Sequence, residues 1–309
     1  MSLESDLILD RRRLKRRLVF WRSFTVLAVV VAALVALRGG SGGLPIGGAH
    51  VARLSVNGII TDDRKLTDAV NDLAKDDAVK ALVVSINSPG GSVAGGESLH
   101  NAIARVAEKK PVVAVMHGVA ASAGYMVALP ATRIFASGAT LTGSIGVILE
   151  TGEMSGLLSK VGLTADAITS GPLKDQPSYT HPLTPQGREV LHGLVMDLYD
   201  QFVAMVATGR HMDPDRVREL ADGRAYSGHQ ALPLGLIDAL GDERDARAWL
   251  AANKGVSATL PVEDVSTESF ASRALAGSVS PLVDGVWKML VSQRLTLDVP
   301  LAVWQRPSE

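Results

Sequence analysis

Residues 79–92 read VKALVVSINSPGGS. The opening VKALVVSI (79–86) is a continuous apolar run rich in β-branched residues, the pattern of a strand covered on both faces. Strands of that kind belong to parallel sheets with helices on each side. The run ends in Asn87-Ser88-Pro89-Gly90-Gly91-Ser92, and helical spacing resumes over roughly 93–108. The same alternation continues outward in both directions. VARLSVNG (51–58) reads as a strand, and 65–75 carries Leu66, Ala69, Val70 and Leu73 at helical spacing. PVVAVM (111–116) is the next strand, 118–126 leads into a short helix, and 133–136 and 145–149 read as short strands. Thr184-Pro185 starts a long helix, with the hydroxyl at the N-cap and Pro at the first helical position. Its stripe of Leu191, Leu194, Val195, Leu198, Phe202, Met205 and Val206 runs to about Thr208. Two further helices are expected near 228–235 and 243–252. This βαβ order predicts an α/β domain with a mainly parallel sheet, over residues 49–262. The remainder, 263–309, is a C-terminal tail with scattered apolar residues: an amphipathic helix for self-association or membrane contact, or a loosely packed end.

The chain has 309 residues, 47% of them apolar, enough for a substantial core. It contains no Cys, which excludes a disulfide scaffold, a thiol nucleophile and Cys-ligated metal sites. Residues 1–22 hold seven basic and three acidic side chains, while 38–309 hold 24 basic and 29 acidic. A mildly acidic body is a poor partner for nucleic acid. No HExxH, no GxxxxGK[ST] and no acidic metal cluster appears, so no metal or other cofactor is expected.

At the front, LVFWRSFTVLAVVVAALVAL (18–37) has Arg22 as its sole charge. Twenty helical residues reach about 30 Å, the thickness of a bilayer core. The basic run RRRLKRR (11–17) precedes it, so residues 1–17 should stay cytoplasmic and everything after the span should lie outside. This reads as a transmembrane signal anchor. A cleaved signal peptide fits less well, because no clean A-x-A site follows, and a buried helix fits worse beside such charge. Residues 38–48, with GGSGGLPIGG, form a flexible linker.

Four segments carry chemistry. In Ser88-Pro89-Gly90-Gly91 the backbone N–H groups of a glycine turn at a strand end can hold an oxyanion, or simply form a turn. Ser122, in Gly118-Val119-Ala120-Ala121-Ser122-Ala123-Gly124-Tyr125, opens a helix among small residues, as an accessible nucleophile or as a capping hydroxyl. Thr140-Leu141-Thr142-Gly143-Ser144-Ile145-Gly146-Val147 lines a pocket or caps a turn. Lys174, in Ser170-Gly171-Pro172-Leu173-Lys174-Asp175, is by itself an ordinary solvated charge.

Together these segments resemble a family. NSPGGS, AASAGY, LTGSIGVI, SGPLKD and GRAYSGHQALPLGLID (223–238), in that order, are similar to signal peptide peptidase A in its short, single-repeat bacterial form. The resemblance covers roughly 51–255 and implies a Clp protease/crotonase-like fold of repeated ββα units behind an N-terminal transmembrane helix. It implies a membrane-anchored serine endopeptidase with Ser122 as nucleophile, Lys174 as general base and Ser144 holding the lysine amine. Gly90 or Gly91, with the Ala123 N–H, would form the oxyanion hole. The family usually has Gly where Ala123 stands; only an N–H is needed there, but the methyl could tighten the pocket. Its substrates would be remnant signal peptides and other short apolar peptides. Its partners would be the bilayer and further copies of itself in a ring, at the extracytoplasmic face of the bacterial inner membrane. The chemistry is consistent: a lysine amine, with an ordinary pKa of about 10.4, serves as base once apolar burial removes its proton. Asp175 is expected to point away from it. A Ser-His-Asp arrangement is the internal rival, with His117 and His181 as the imidazoles within reach. A crotonase-like acyl-CoA enzyme and a non-catalytic membrane scaffold are the alternative functions.

Overall fold

Three β-branched runs and the helices between them build one sheet in the computed structural model, which describes residues 20–22, 24 and 48–266. The chain divides into two units, 1–50 and 51–309. In the first, residues 20–22 and 24 are helical, and Trp21 stands edge-on to Phe20 and Phe24. All three rings are exposed. The rest of the expected anchor and its basic flank lie outside the described residues. So do most of the linker and the tail from 267 on.

In the second unit the centre of the sheet is β3 (Val112–Ala121), which pairs in parallel with β2 (Val79–Gly91). On its other side β3 changes partner along its length. Val113–Met116 pair with β4 (Arg133–Ala136), and Val119–Ala121 pair with β5 (Leu141–Gly143). The path β6-β5-β3-β2-β1-β8 is completed by β1 (His50–Ile60), β6 (Ala225–Ser227) and β8 (Val262–Asp264), with β7 (Ala239–Leu240) on β4. The pairing of β5 with β6 is antiparallel; those of β1–β8, β2–β3, β3–β4, β3–β5 and β4–β7 are parallel.

The unbroken apolar runs have the expected cause. Successive strand residues face opposite sides. Leu82, Val84, Ile86, Val112, Ala114 and Met116 enter the larger core, and Ala81, Val83, Val113, Val115 and Phe135 enter the smaller one. The larger core is closed by α2 (Val93–Ala107), by α3 (Ala123–Ala128) and by the end of the long helix α5 (Pro185–Arg210); α1 (Arg64–Leu73) adds Val70. The smaller one is closed by Ala246 and Leu250 of α8 (Glu243–Lys254).

Three expectations need correction. No strand forms over 145–149; β5 ends at Gly143, where φ of +75° at Gly143 and +47° at Ser144 turns the chain out of the sheet. The helix expected at 228–235 is the single turn α7 (Gly228–Ala231). The stripe on α5 is fully buried only in its second half, at Phe202 and Val206; Leu191, Val195, Leu198 and Met205 are half-buried and Leu194 is exposed. By length and composition alone α5 is also apolar enough to cross a membrane. Two short helices, α4 (Ser155–Lys160) and α6 (Pro214–Leu220), have too few apolar repeats to be read from the sequence.

The end of α5 is fixed by a half-buried ion pair. Arg210 forks onto Asp238 at 3.0 and 2.6 Å, and Asp238 also accepts the Ile134 N–H of β4 at 2.7 Å. Burial pushes the Asp238 carboxyl up, but the Arg210 fork and the Ile134 N–H outweigh it and hold the carboxyl below the usual range. A depressed folded-state pKa stabilises fully above the unfolded value of about 3.9, and that stabilisation is lost as pH falls through the folded value. Asp238→Asn is expected to cost about 3 kcal/mol at neutral pH. In denaturant titrations the gap to wild type should close as pH is lowered from about 4. A gap that stays constant across that range would show that carboxylate charge is not what fastens α5.

Candidate active site

Ser122 sits between the last residue of β3 and the first of α3, with φ 54° and ψ −123°. A non-glycine residue rarely takes positive φ, and it persists only where the surroundings over-determine it. They do so here: the Ser122 N–H donates to the Gly143 carbonyl at 2.9 Å, and its own carbonyl accepts from the Tyr125 and Met126 N–H groups at 2.9 and 3.0 Å. The backbone is held on both sides while the hydroxyl makes no capping bond to the helix. The capping alternative therefore fails, and the Oγ is left for other partners.

Ser144 follows Gly143, which is the register partner of Ala121 in β3 and the acceptor of the Ser122 N–H. Ser144 also has positive φ, +47°, and its N–H donates to the Arg224 carbonyl at 2.9 Å.

Gly90 closes a third side. Its φ is +119°, and a Cβ there would meet Ser122 Cβ at 2.9 Å and Ser122 Oγ at 3.2 Å. Its N–H donates to the fully buried Ser88 Oγ at 3.1 Å. Of the two glycines that the sequence left open as oxyanion donors, Gly90 thus has its N–H occupied. Gly91, the last residue of β2, is pressed so closely on Ile60 that a Cβ would fall 1.9 Å from the Ile60 carbonyl oxygen. Ala123 begins α3 with helical backbone, and the first N–H groups of a helix have no intrahelical acceptor. Its methyl does not narrow the pocket: it is buried, directed at Gly96 of α2.

Lys174 lies in a turn, with its N–H on the Gly171 carbonyl at 3.1 Å. It is exposed, and among the described residues its amine has no hydrogen-bond or ion-pair partner, Ser122 and Ser144 included. The apolar burial expected of it is not present in the single chain. Asp175 faces His181 at 3.9 Å and makes no ion pair with Lys174. Gln176 fastens the same loop to α5, accepting the Thr184 N–H at 3.1 Å, while Thr184 caps the helix through Gly187 at 3.0 Å. The stretch between Ser144 and Lys174 exposes Ile148, Leu157, Val161, Leu163 and Ile168, and α4 within it has no buried residue.

The rival imidazole is engaged elsewhere. His117 Nε2 lies 2.8 Å from Ser85 Oγ, on the neighbouring strand rather than at Ser122. Beyond Ser144, a cavity of about 330 Å³ is lined by Gly146, Val147, Val195, Met196, Tyr199, Ala221, Asp222 and Gly223. Its walls are mostly apolar, with Asp222 tied to Arg224 at the rim. Two residues that shape the site were missed in the sequence, Gly96 and Gln176, and Ser88 was singled out only as part of the glycine segment. Only Gly96 left a signal, as one of two adjacent glycines inside a helical stretch.

The Peptidase family S49 model matches residues 104–257, a span containing Ser122, Ser144 and Lys174, and the Clp protease model matches 60–139. A Synechocystis sp. protein named as a protease is 41% identical over 207 residues, 67% of this chain and 75% of that one. The chain belongs to peptidase family S49. An Enterococcus faecium protein named as signal peptide peptidase SppA is 35% identical over 245 residues, 74% of this S49 peptidase and 71% of the relative. The chloroplastic serine protease SPPA of Arabidopsis thaliana is 34% identical over 189 residues, 61% of this chain and 28% of its own. The chain is a serine peptidase of mixed α/β fold.

Proposed function

We propose that this S49 peptidase is a membrane-anchored endopeptidase that cleaves short apolar peptides, remnant signal peptides among them, with a Ser122/Lys174 dyad. The observation that carries this reading is Ser122 itself: a positive-φ serine with both backbone groups bonded, its hydroxyl uncapped and Gly90 against its side chain. Strain of that kind at the start of a helix aims an oxygen outward for attack on a carbonyl.

In the proposed sequence, neutral Lys174 takes the Ser122 proton as Oγ attacks the peptide carbonyl. The oxyanion is held by the N–H groups of Gly91 and Ala123. The tetrahedral intermediate expels the amine, which takes the proton back from Lys174. Lys174 then takes a proton from water as it attacks the acyl carbonyl, and returns that proton to Ser122 Oγ as the ester bond breaks and the acid leaves. Ser144 holds the lysine amine in line.

Lys174 must be brought to Ser122 and shielded from water for this to occur. A second copy of the chain would do both, supplying or covering the arm whose Ile148, Leu157, Val161, Leu163 and Ile168 lie in solvent. A ring would present several such sites at the bilayer, with residues 18–37 as the anchor and the catalytic unit on the extracytoplasmic face.

A fluorophosphonate probe tests the nucleophile. Applied to the full chain in detergent, it is expected to add one label, on the peptide containing Ser122, at a rate that falls at least about 100-fold in Lys174→Ala. A label on any other residue would reassign the nucleophile.

A further inference from the structure

Helix α2 contains two adjacent glycines, Gly95 and Gly96, in its first turns. A glycine inside a helix costs about 1 kcal/mol relative to alanine, so an adjacent pair calls for a structural reason. Gly95 has one in the loop after β1, since a Cβ there would stand 2.5 Å from the Thr61 carbonyl carbon. Gly96 faces the catalytic turn instead. A Cβ on Gly96 would stand 2.9 Å from Ala123 Cβ, 3.0 Å from Met126 Sδ and 3.4 Å from Ala123 Cα.

These neighbours differ in how they can respond. Met126 Sδ is the end of a flexible side chain and can swing aside. Ala123 Cβ is one bond from the backbone, so moving it moves the residue that follows Ser122. Nor can α3 slide freely, because one turn further along α2 His100 donates its Nδ1–H to the Met126 carbonyl at 2.9 Å. The two helices are pinned there, with Gly96 and Ala123 between the pin and the nucleophile.

We propose that Gly96 is a positioning residue: its bare backbone is the notch that seats the Ala123 methyl, and through that contact it sets where Ser122 Oγ and the Ala123 N–H stand. The inference rests on the reading of Ser122 as nucleophile and of Ala123 as oxyanion donor. The bare backbone also leaves room for the methyl of Ala123, which a side chain at Gly96 would meet at 2.9 Å.

Carbon atoms settle about 3.5–4.0 Å apart, so a methyl on Gly96 displaces Ala123 by roughly half an ångström or more. A misplacement of about 1 Å at a reacting centre costs on the order of 100-fold in rate. Gly96→Ala is therefore expected to lower kcat about 10- to 100-fold on a quenched fluorogenic apolar peptide, with KM within about threefold. Gly96→Ala/Ala123→Gly moves the methyl from one side of the contact to the other, and should return kcat to within about fivefold of wild type.

The measurements use the full chain in detergent, with active sites titrated by the fluorophosphonate probe and melting temperature recorded alongside. Wild-type kcat per titrated site in Gly96→Ala overturns the notch, as does a double variant no better than the single one. A role in packing alone lowers the melting temperature and leaves kcat per titrated site intact, which also overturns it. Should Gly96→Ala fail to fold, the double variant decides: it must fold and turn over. Ser122→Ala separates the two levels. Cleavage persisting in that variant removes the underlying reading of the site, whereas failure of the Gly96 variants alone removes only the notch.

Discussion

Ser122→Ala is expected to lower peptide cleavage by about 10³-fold or more, with the fold and melting temperature unchanged. The hydroxyl is uncapped and makes no bond that supports the structure, so its removal takes away chemistry and little else. Lys174→Ala should do nearly the same, because nucleophile and base act as a unit and their losses do not add. Lys174→Arg should be equally inactive, since a guanidinium keeps its proton at any working pH. His117→Ala should retain near wild-type rates, as its ring is bound to Ser85. Full activity in Lys174→Ala together with loss in His117→Ala would overturn the assignment of the base.

Gly90→Ala is expected to have the second largest effect, about 10²-fold or more in kcat with a loss of about 2 kcal/mol or more in stability. Two costs coincide at this position. The φ of +119° is one that L-residues rarely adopt, and the new Cβ would press on Ser122 Cβ at 2.9 Å. Relaxing either moves the end of β2 that carries Gly91. Gly138→Ala is the matched control, because a Cβ there meets nothing within 4 Å and its backbone is not left-handed. Steady-state kinetics and thermal melts on both variants make the comparison. Equal behaviour of the two would show that the SPGG end of β2 tolerates a side chain and stands apart from the reaction.

The central strands were legible because their cause is local. VKALVVSI, apart from Lys80 and Ser85, and PVVAVM are apolar since both sheet faces are covered, and the sequence pattern alone reports that. The start of α5 was equally plain, because Thr184 and Pro185 act on their own first turn. The misplaced fifth strand failed for the opposite reason. Ile145 and Val147 are β-formers, but positive φ at Gly143 and Ser144, reinforced by the Arg224 carbonyl, diverts the chain before they can pair. The second half of α5 fully buries Phe202 and Val206 of its stripe and the first half fully buries none of it, a difference set by what packs against it and not by its own pattern.

The residue types of the site followed from order and chemistry along the chain: a serine among small residues at a strand end, a glycine pair after another strand, a hydroxyl after a third and one lysine in a loop. Short-range sterics and hydrogen-bonding capacity write those features into neighbouring positions, so they can be read one segment at a time. Contacts between distant segments cannot. The pairing of Ala121 with Gly143 sets β5 against the strand that leads into Ser122, the Ser122 N–H finds the Gly143 carbonyl, and Gly96 receives the Ala123 methyl. Each depends on how separate strands and helices settle against one another in space, where a few tenths of an ångström decide whether a methyl fits or a donor is free.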